Sequence, residues 1–142
     1  MNRFLVLIAL LIITACSKND RVNNCNYLLN VSVSASVNMN LPQYSQLQFT
    51  SNSVYIANQG NAGIIVTNVG NSSFRAWDAA DPNHTPTSCS KLTITGANAT
   101  CGCQDANEYS LFTGQSIGVN LPCGLKEYRV GNAGNNTLLI SN

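Results

Sequence analysis

Apolar and polar residues alternate strictly in the first part of the chain that follows an apolar N-terminal run. Between positions 31 and 41, Val, Ala, Met or Leu occupies each odd position and Ser or Asn each even one. A period of two sustained over this length predicts a long β-strand with one buried face. Pro42 cannot donate a hydrogen bond to a neighbouring strand, so the strand is expected to end there.

Short apolar runs separated by turn residues continue to the C-terminus. No segment has a helical period, and the chain is therefore predicted to form an all-β domain of the sandwich type. The further predicted strands are 47–49, 54–56, 64–66, 74–77, 92–95, 109–112, 117–121, 128–130 and 137–140. The predicted turns are 60–63, a hairpin turn at 70–71, 96–100 and 131–136.

Two segments lack a strand pattern and are predicted to be loops: 78–89, which contains Pro82 and Pro86, and 101–107. The stretch 73–114 includes both loops, three of the six cysteines, the only histidine and the only tryptophan. Most candidate chemistry is therefore concentrated there.

The N-terminal fifteen residues have the features of an export signal. Arg3 supplies a positive charge, and the apolar run 4–13 is too short to span a bilayer comfortably. The run ends in Ile-Thr-Ala-Cys16, which resembles the lipobox of bacterial lipoproteins. That resemblance implies a signal peptide at 1–15, lipid on Cys16, a polar tether at 16–26 and a domain at 27–142. The alternative is an ordinary secretory signal followed by an unrelated cysteine.

Composition narrows the possible partners. Without Arg3, the predicted mature chain carries six Lys or Arg and six Asp or Glu side chains, and it is long enough for one domain. A nearly neutral chain without a basic patch is not expected to bind nucleic acid, and attachment to a membrane would depend on the lipid on Cys16. Surface polarity comes from Asn, Ser, Thr and Gln, which suits an exported protein.

Three short patterns surround the two predicted loops: Phe74-x-Ala76-x-Asp78, Tyr109-x-x-x-Thr113-Gly114 and Leu125-x-x-Tyr128-x-Val130. In this spacing, residues 50–140 resemble the Rieske iron–sulfur proteins. The resemblance implies a Rieske-like antiparallel β-sandwich with a small two-loop subdomain at about 78–108.

Rieske proteins hold a [2Fe–2S] cluster through a C-x-H pair on one loop and a C-x-x-H pair on another. Without gaps, these four positions fall on Asp81, Asn83, Cys101 and Gln104. Carboxylate and amide oxygens are poor replacements for thiolate and imidazole, so only Cys101 is a suitable donor. His84 is one position out of register, and shifting the loop to use it would place Pro82 at the cysteine position. No cofactor is therefore expected; the alternative is a Rieske-type [2Fe–2S] electron-transfer protein.

The same resemblance implies a disulfide pairing. Many Rieske proteins join the two cluster loops by a bridge, which here corresponds to Cys89–Cys103. Cys25 and Cys123 are then the second expected pair, and Cys101 is the odd thiol. A Cys89–Cys101 pairing remains open.

The residue types in these loops also suit three other uses. Cys101-Gly102-Cys103 is a candidate redox dithiol, although no thioredoxin-like pattern surrounds it. A nitrogen and sulfur metal site is possible for zinc or an unusual cluster, with the ligands His84, Cys89, Cys101 and Cys103. An acidic catalytic or calcium site is also possible at Asp81, Asp105 and Glu108.

Together these features favour a non-enzymatic lipoprotein with a Rieske-like domain. It is expected to act as a structural or interaction module of the bacterial cell envelope, with an unknown envelope protein as partner. Ser17, after the lipidated cysteine, favours the outer membrane. The alternatives are the electron-transfer protein and a thiol redox partner.

Overall fold

The structure, a computed structural model, describes residues 25–142. The predicted signal peptide at 1–15, the predicted lipidation site Cys16 and most of the predicted tether lie outside these residues. The described part is built from strands and one short 3₁₀ helix, which confirms the predicted all-β class. The strands are β1 (Ser34–Asn38), β2 (Ser53–Ile56), β3 (Ile64–Gly70), β4 (Ser73–Asp78), β5 (Leu92–Thr95), β6 (Asn98–Cys101), β7 (Glu108–Ser110), β8 (Ser116–Ile117), β9 (Glu127–Gly134) and β10 (Thr137–Ser141).

The strands form two antiparallel sheets. The larger sheet has six strands in the order β1-β10-β9-β4-β3-β2, and the smaller has four in the order β5-β6-β7-β8. Val37 on β1 and Val54 on β2 belong to the same buried apolar cluster, although their strands lie at opposite ends of the larger sheet. The larger sheet therefore curls around this cluster.

The centre of the larger sheet is buried on both faces. Alternate residues of β3 point to opposite sides: Ile64 and Val66 pack in the cluster inside the curl, whereas Ile65 packs in a second cluster. That second cluster also contains Trp77 of β4 and Tyr109 of β7. The smaller sheet thus packs against the outer face of β3 and β4, and this contact positions its loops.

The strand predicted at 31–41 is shorter in the structure. Its inward face is present, because Val33, Val37 and Met39 are buried. The ladder with β10, however, covers only Ser34–Asn38. Just beyond it the Leu41 N–H donates to the Asn38 carbonyl at 3.1 Å, which forms a turn.

The strand predicted at 47–49 is wrong. Ser45–Gln48 forms a 3₁₀ helix, in which the Leu47 N–H bonds to the Tyr44 carbonyl at 3.0 Å. Leu47 is fully buried, but Phe49 is 66% exposed. A short connection can bury a single residue with one turn of 3₁₀ helix. An apolar-polar-apolar triplet does not distinguish such a turn from a short β-strand.

Three boundaries in the smaller sheet also differ from the prediction. The strand predicted at 109–112 is observed at Glu108–Ser110. The turn predicted at 96–100 is confined to its first residues, because Asn98–Cys101 forms β6 and pairs with both β5 and β7. The strand predicted at 117–121 is reduced to Ser116–Ile117. Because β6 has only small or polar side chains, it shows no alternation of apolar and polar residues in the sequence. In the structure, Ala99 and Cys101 face the core.

The first described residues are fixed against the domain. Cys25 forms a disulfide with Cys123, and the Leu29 N–H donates to the Asn61 side-chain oxygen at 2.8 Å. The Leu29 carbonyl accepts a hydrogen bond from Lys126 Nζ at 2.6 Å. Within residues 25–142, no helix has the length and apolar character that crossing a bilayer would need.

Candidate functional site

The candidate site is formed by two loops, which we call the loop cluster: the first loop (79–91) joins β4 to β5, and the second loop (102–107) joins β6 to β7. A disulfide joins Cys89 in the first loop to Cys103 in the second, and this is the bridge that the family resemblance implies. Gly102 lies against the first loop, where an added Cβ would come within 2.9 Å of the Cys89 carbonyl oxygen. The loops therefore meet at van der Waals distance and are covalently linked.

Asp81, at the first of the four positions that the resemblance aligns with cluster ligands, is fully buried. One carboxylate oxygen accepts the Tyr109 hydroxyl at 2.5 Å and the Asn83 N–H at 2.9 Å. The other accepts the side-chain amide of Asn107 at 2.9 Å. Burial, together with the hydrogen bond to Asp81, raises the pKa of Tyr109 above its usual range. Asp81 thus connects the first loop to β7 and to the second loop.

Asn83, at the second of these aligned positions, extends this network. Its side-chain nitrogen donates to the Tyr109 hydroxyl and to the Cys123 carbonyl, both at 2.8 Å. Its side-chain oxygen accepts the Cys123 N–H at 3.2 Å. Because Cys123 is bonded to Cys25, the network also reaches the N-terminal end of the domain.

Cys101, at the third position, ends β6 and is the free cysteine among the described residues. Its sulfur accepts the Cys103 N–H at 3.5 Å and lies 3.7 Å from the Cys89 carbonyl oxygen. Burial raises the pKa of the Cys101 thiol to about 11; the hydrogen bond from Cys103 opposes this increase, and Asp81 and Asp105 add to it. Gln104, at the fourth position, is exposed.

This raised pKa predicts a steep pH dependence for alkylation of Cys101. Only the thiolate reacts, and a raised thiol pKa lowers the thiolate fraction at every pH below it. Reaction with iodoacetamide should be slow at neutral pH and accelerate as the pH rises from 9.0 towards about 11. Mass spectrometry of the peptide containing Cys101 would measure the rate, with the denatured chain as control. Fast labelling of the folded chain at neutral pH would contradict the burial described above.

His84 lies beside Cys101 and is oriented by the second loop. Its Nε2 is 2.6 Å from a carboxylate oxygen of Asp105, and its Nδ1 is 3.8 Å from Cys101 Sγ.

The candidate redox dithiol of Cys101 and Cys103 would require prior reduction, since the structure joins Cys103 to Cys89.

The three carboxylates of the proposed acidic site do not form one site. Each has a separate neighbour: Asp81 accepts from Tyr109, Asp105 contacts His84, and Glu108 accepts from the side chain of Asn98 at 2.8 Å. Among residues 25–142, they do not assemble into a group that could hold a metal ion.

Asp78 is a second buried carboxylate, and the sequence did not predict a site there. One oxygen of Asp78 accepts the Tyr128 hydroxyl at 2.6 Å and two hydrogen bonds from Asn61, both at 2.8 Å. Burial, with the hydrogen bond to Asp78, raises the pKa of Tyr128. Asp78 and Tyr128 each belong to one of the three short patterns that carry the Rieske resemblance, but the two residues lie 50 positions apart in the sequence. No local signal could have paired them.

The fold and the site define an antiparallel two-sheet β domain in which a disulfide joins two adjacent loops. No family model matches the chain, and no curated protein matches it. The chain is similar to a chain of the complex of reduced oxygenase and oxidized ferredoxin in carbazole 1,9a-dioxygenase: identity is 16%, coverage is 78% of this chain and 91% of that chain, and the TM-score is 0.47. It is also similar to a nitrite reductase NADPH small-subunit oxidoreductase protein, with 17% identity, 75% and 97% coverage, and a TM-score of 0.41.

Proposed function

We propose that this protein is a membrane-anchored, Rieske-like structural or interaction module of the bacterial cell envelope, without a [2Fe–2S] cluster and without enzymatic activity. The observation that carries the proposal is the full burial of Asp81 and its hydrogen bonds to Tyr109, Asn83 and Asn107. At a position where Rieske proteins carry a cluster ligand, this side chain instead connects the loops to the core.

The residues present do not fit a Rieske cluster. Two thiolates and two imidazoles are required, whereas the four positions offer a carboxylate, two amides and one thiol. Exposing Asp81 to iron would also remove the hydrogen-bond acceptor of the buried Tyr109 hydroxyl, which is a costly change. His84 lies near Cys101, but replacing one amide with one imidazole still leaves the ligand set incomplete.

Anchoring by lipid on Cys16 would hold the domain in a particular orientation. Nine residue steps separate Cys16 from Cys25, so the tether reaches about 30 Å at most when fully extended. Cys25 is bonded to Cys123, whose backbone contacts Asn83 of the first loop. We therefore expect the loop cluster to face the membrane or a partner close to it, with the outer membrane favoured.

Iron analysis tests the absence of a cluster. The full chain, purified in detergent without air, is expected to be colourless and to lack stoichiometric iron, even after attempted cluster reconstitution. Stoichiometric iron with charge-transfer bands that disappear in Cys101→Ser would instead establish the alternative electron-transfer function. In the cells that express it, the chain should incorporate a radiolabelled fatty acid, and Cys16→Ser should not. Equal incorporation by both, or by neither, would contradict the lipid anchor.

A further inference from the structure

The loop cluster contains one closely assembled group of metal-binding side chains. One ring nitrogen of His84, Cys101 Sγ and Cys103 Sγ all lie within 4.8 Å of one another. Within residues 25–142, this is the only group of three or more His, Cys, Asp or Glu side chains close enough to hold a metal ion. The hydrogen bonds that Asp81 accepts from Tyr109, Asn83 and Asn107 do not involve these three side chains.

His84 is oriented as a metal ligand. An ionised carboxylate only accepts hydrogen bonds, so the contact with Asp105 places the imidazole proton on Nε2. In a neutral ring, Nδ1 then carries a lone pair, and this atom faces Cys101 Sγ. In a zinc-binding histidine, the ring nitrogen that does not bind the metal commonly donates a hydrogen bond to a carboxylate. This hydrogen bond fixes the tautomer and the ring orientation.

The distances suit tetrahedral zinc. Zinc binds nitrogen at about 2.0–2.1 Å and sulfur at about 2.3 Å, which places a nitrogen and a sulfur ligand about 3.6 Å apart. The separation between His84 Nδ1 and Cys101 Sγ is 3.8 Å. Only a small adjustment would be needed for these two atoms to share one ion.

The disulfide prevents this site from forming. Cys103 Sγ is bonded to Cys89, and metal binding requires thiolate rather than disulfide sulfur. Reduction would release two further thiols at once: Cys103 Sγ, which lies within 4.8 Å of Cys101 Sγ, and Cys89 Sγ, which is 2.06 Å from Cys103 Sγ in the bridge. The donor set would then be one imidazole and three thiolates, a combination that favours zinc.

We propose that reduction of the Cys89–Cys103 bridge converts the loop cluster into a zinc site formed by His84, Cys89, Cys101 and Cys103. A dithiol reductant supplies two electrons and two protons, becomes a disulfide itself and leaves Cys89 and Cys103 as thiols. Zinc then binds the three thiolates and neutral His84, and three protons are released. This inference goes beyond the proposed function: the two loops are joined by a covalent bond in the oxidised state and by a metal in the reduced one.

Zinc binding to the full chain in detergent tests the proposal. A phosphine reductant, which is oxidised as it cleaves the bridge, is used so that no dithiol competes for the metal, and mass spectrometry confirms that the Cys25–Cys123 bridge is retained. The reduced chain should bind one zinc ion per chain, and the oxidised chain should bind on the order of 1000-fold more weakly because it retains only one of the three thiolates. X-ray absorption should show one nitrogen and three sulfur neighbours. Cobalt in place of zinc should give tetrahedral thiolate bands.

Variants separate this site from adventitious binding by cysteines. His84→Ala retains every cysteine and is expected to weaken binding by on the order of 100-fold or more, and Asp105→Asn by about 10-fold, because Asp105 only positions the imidazole. Cys101→Ser should lower the intensity of the cobalt thiolate bands, because two of the three thiolates remain. Equal zinc affinity of the oxidised and reduced chains, or an unchanged affinity in His84→Ala, would overturn the proposal. Zinc gives no visible absorption, so this result is distinguishable from an iron–sulfur cluster.

Discussion

Replacement of Cys25 and Cys123 by Ala is expected to lower the free energy of unfolding by about 4–5 kcal/mol, the largest effect predicted for this protein. The bridge closes a loop with a sequence separation of 98, and cross-linking a long loop removes much entropy from the unfolded chain. It also fixes the segment that contains Leu29, whose backbone contacts Asn61 and Lys126. Denaturant unfolding of the oxidised chains would measure the difference.

The other bridge provides the matched control. Cys89 and Cys103 are separated by only 14 positions, so their replacement by Ala should cost about 3 kcal/mol in the same chain-entropy description. The two double variants remove the same atoms from the chain. A larger loss for the short loop than for the long one would contradict the entropic explanation and indicate that the loop cluster itself carries most of the stability.

Tyr109→Phe is expected to destabilise the domain by about 3 kcal/mol. The change removes the 2.5 Å hydrogen bond to the fully buried Asp81 and the acceptor for the Asn83 side-chain amide. A buried carboxylate that loses a donor cannot recover the interaction from solvent. Thermal or denaturant unfolding of the variant and wild-type chains would measure the loss.

Tyr55→Phe is the control for that variant. Tyr55 also donates its hydroxyl hydrogen bond, to the Ala62 carbonyl at 2.8 Å, but its side chain is 37% exposed. Water can replace the lost partner there, so the loss should stay below about 1 kcal/mol. Similar losses in both variants would show that Asp81 does not depend on Tyr109, and the structural argument for a cluster-free site would lose its support.

Strand positions were largely predictable because burial alternates locally. The polar alternation before Pro42 correctly identified the inward face of β1, since neighbouring side chains on a strand point to opposite sides. The apolar triplet at 64–66 correctly predicted a buried strand, because β3 contacts a cluster on each face. Leu47 and β6 were mispredicted where a short segment carried too few apolar residues to define a period.

The candidate site was predictable in location but not in its contacts. Sequence spacing aligned Asp81, Asn83, Cys101 and Gln104 with the four ligand positions of a Rieske cluster. The residue types at these positions argued against binding of a [2Fe–2S] cluster. Which carboxylate is buried depended on partners far along the chain, since Tyr109 lies 28 positions from Asp81. Likewise, the contact of His84 with Asp105 spans 21 positions and exists only because the two loops meet.

The sequence by itself determined the all-β class and the types of donor atoms in the two loops, because these depend on local pattern and residue chemistry. The export signal at 1–15 stays a prediction. Only the tertiary structure decided that Asp81 faces the core, that Gln104 faces solvent, and that His84, Cys101 and Cys103 lie together. The packing of the smaller sheet against β3 and β4 brings these distant residues together. The spacing of residues along the sequence does not determine how close these side chains lie in the folded chain.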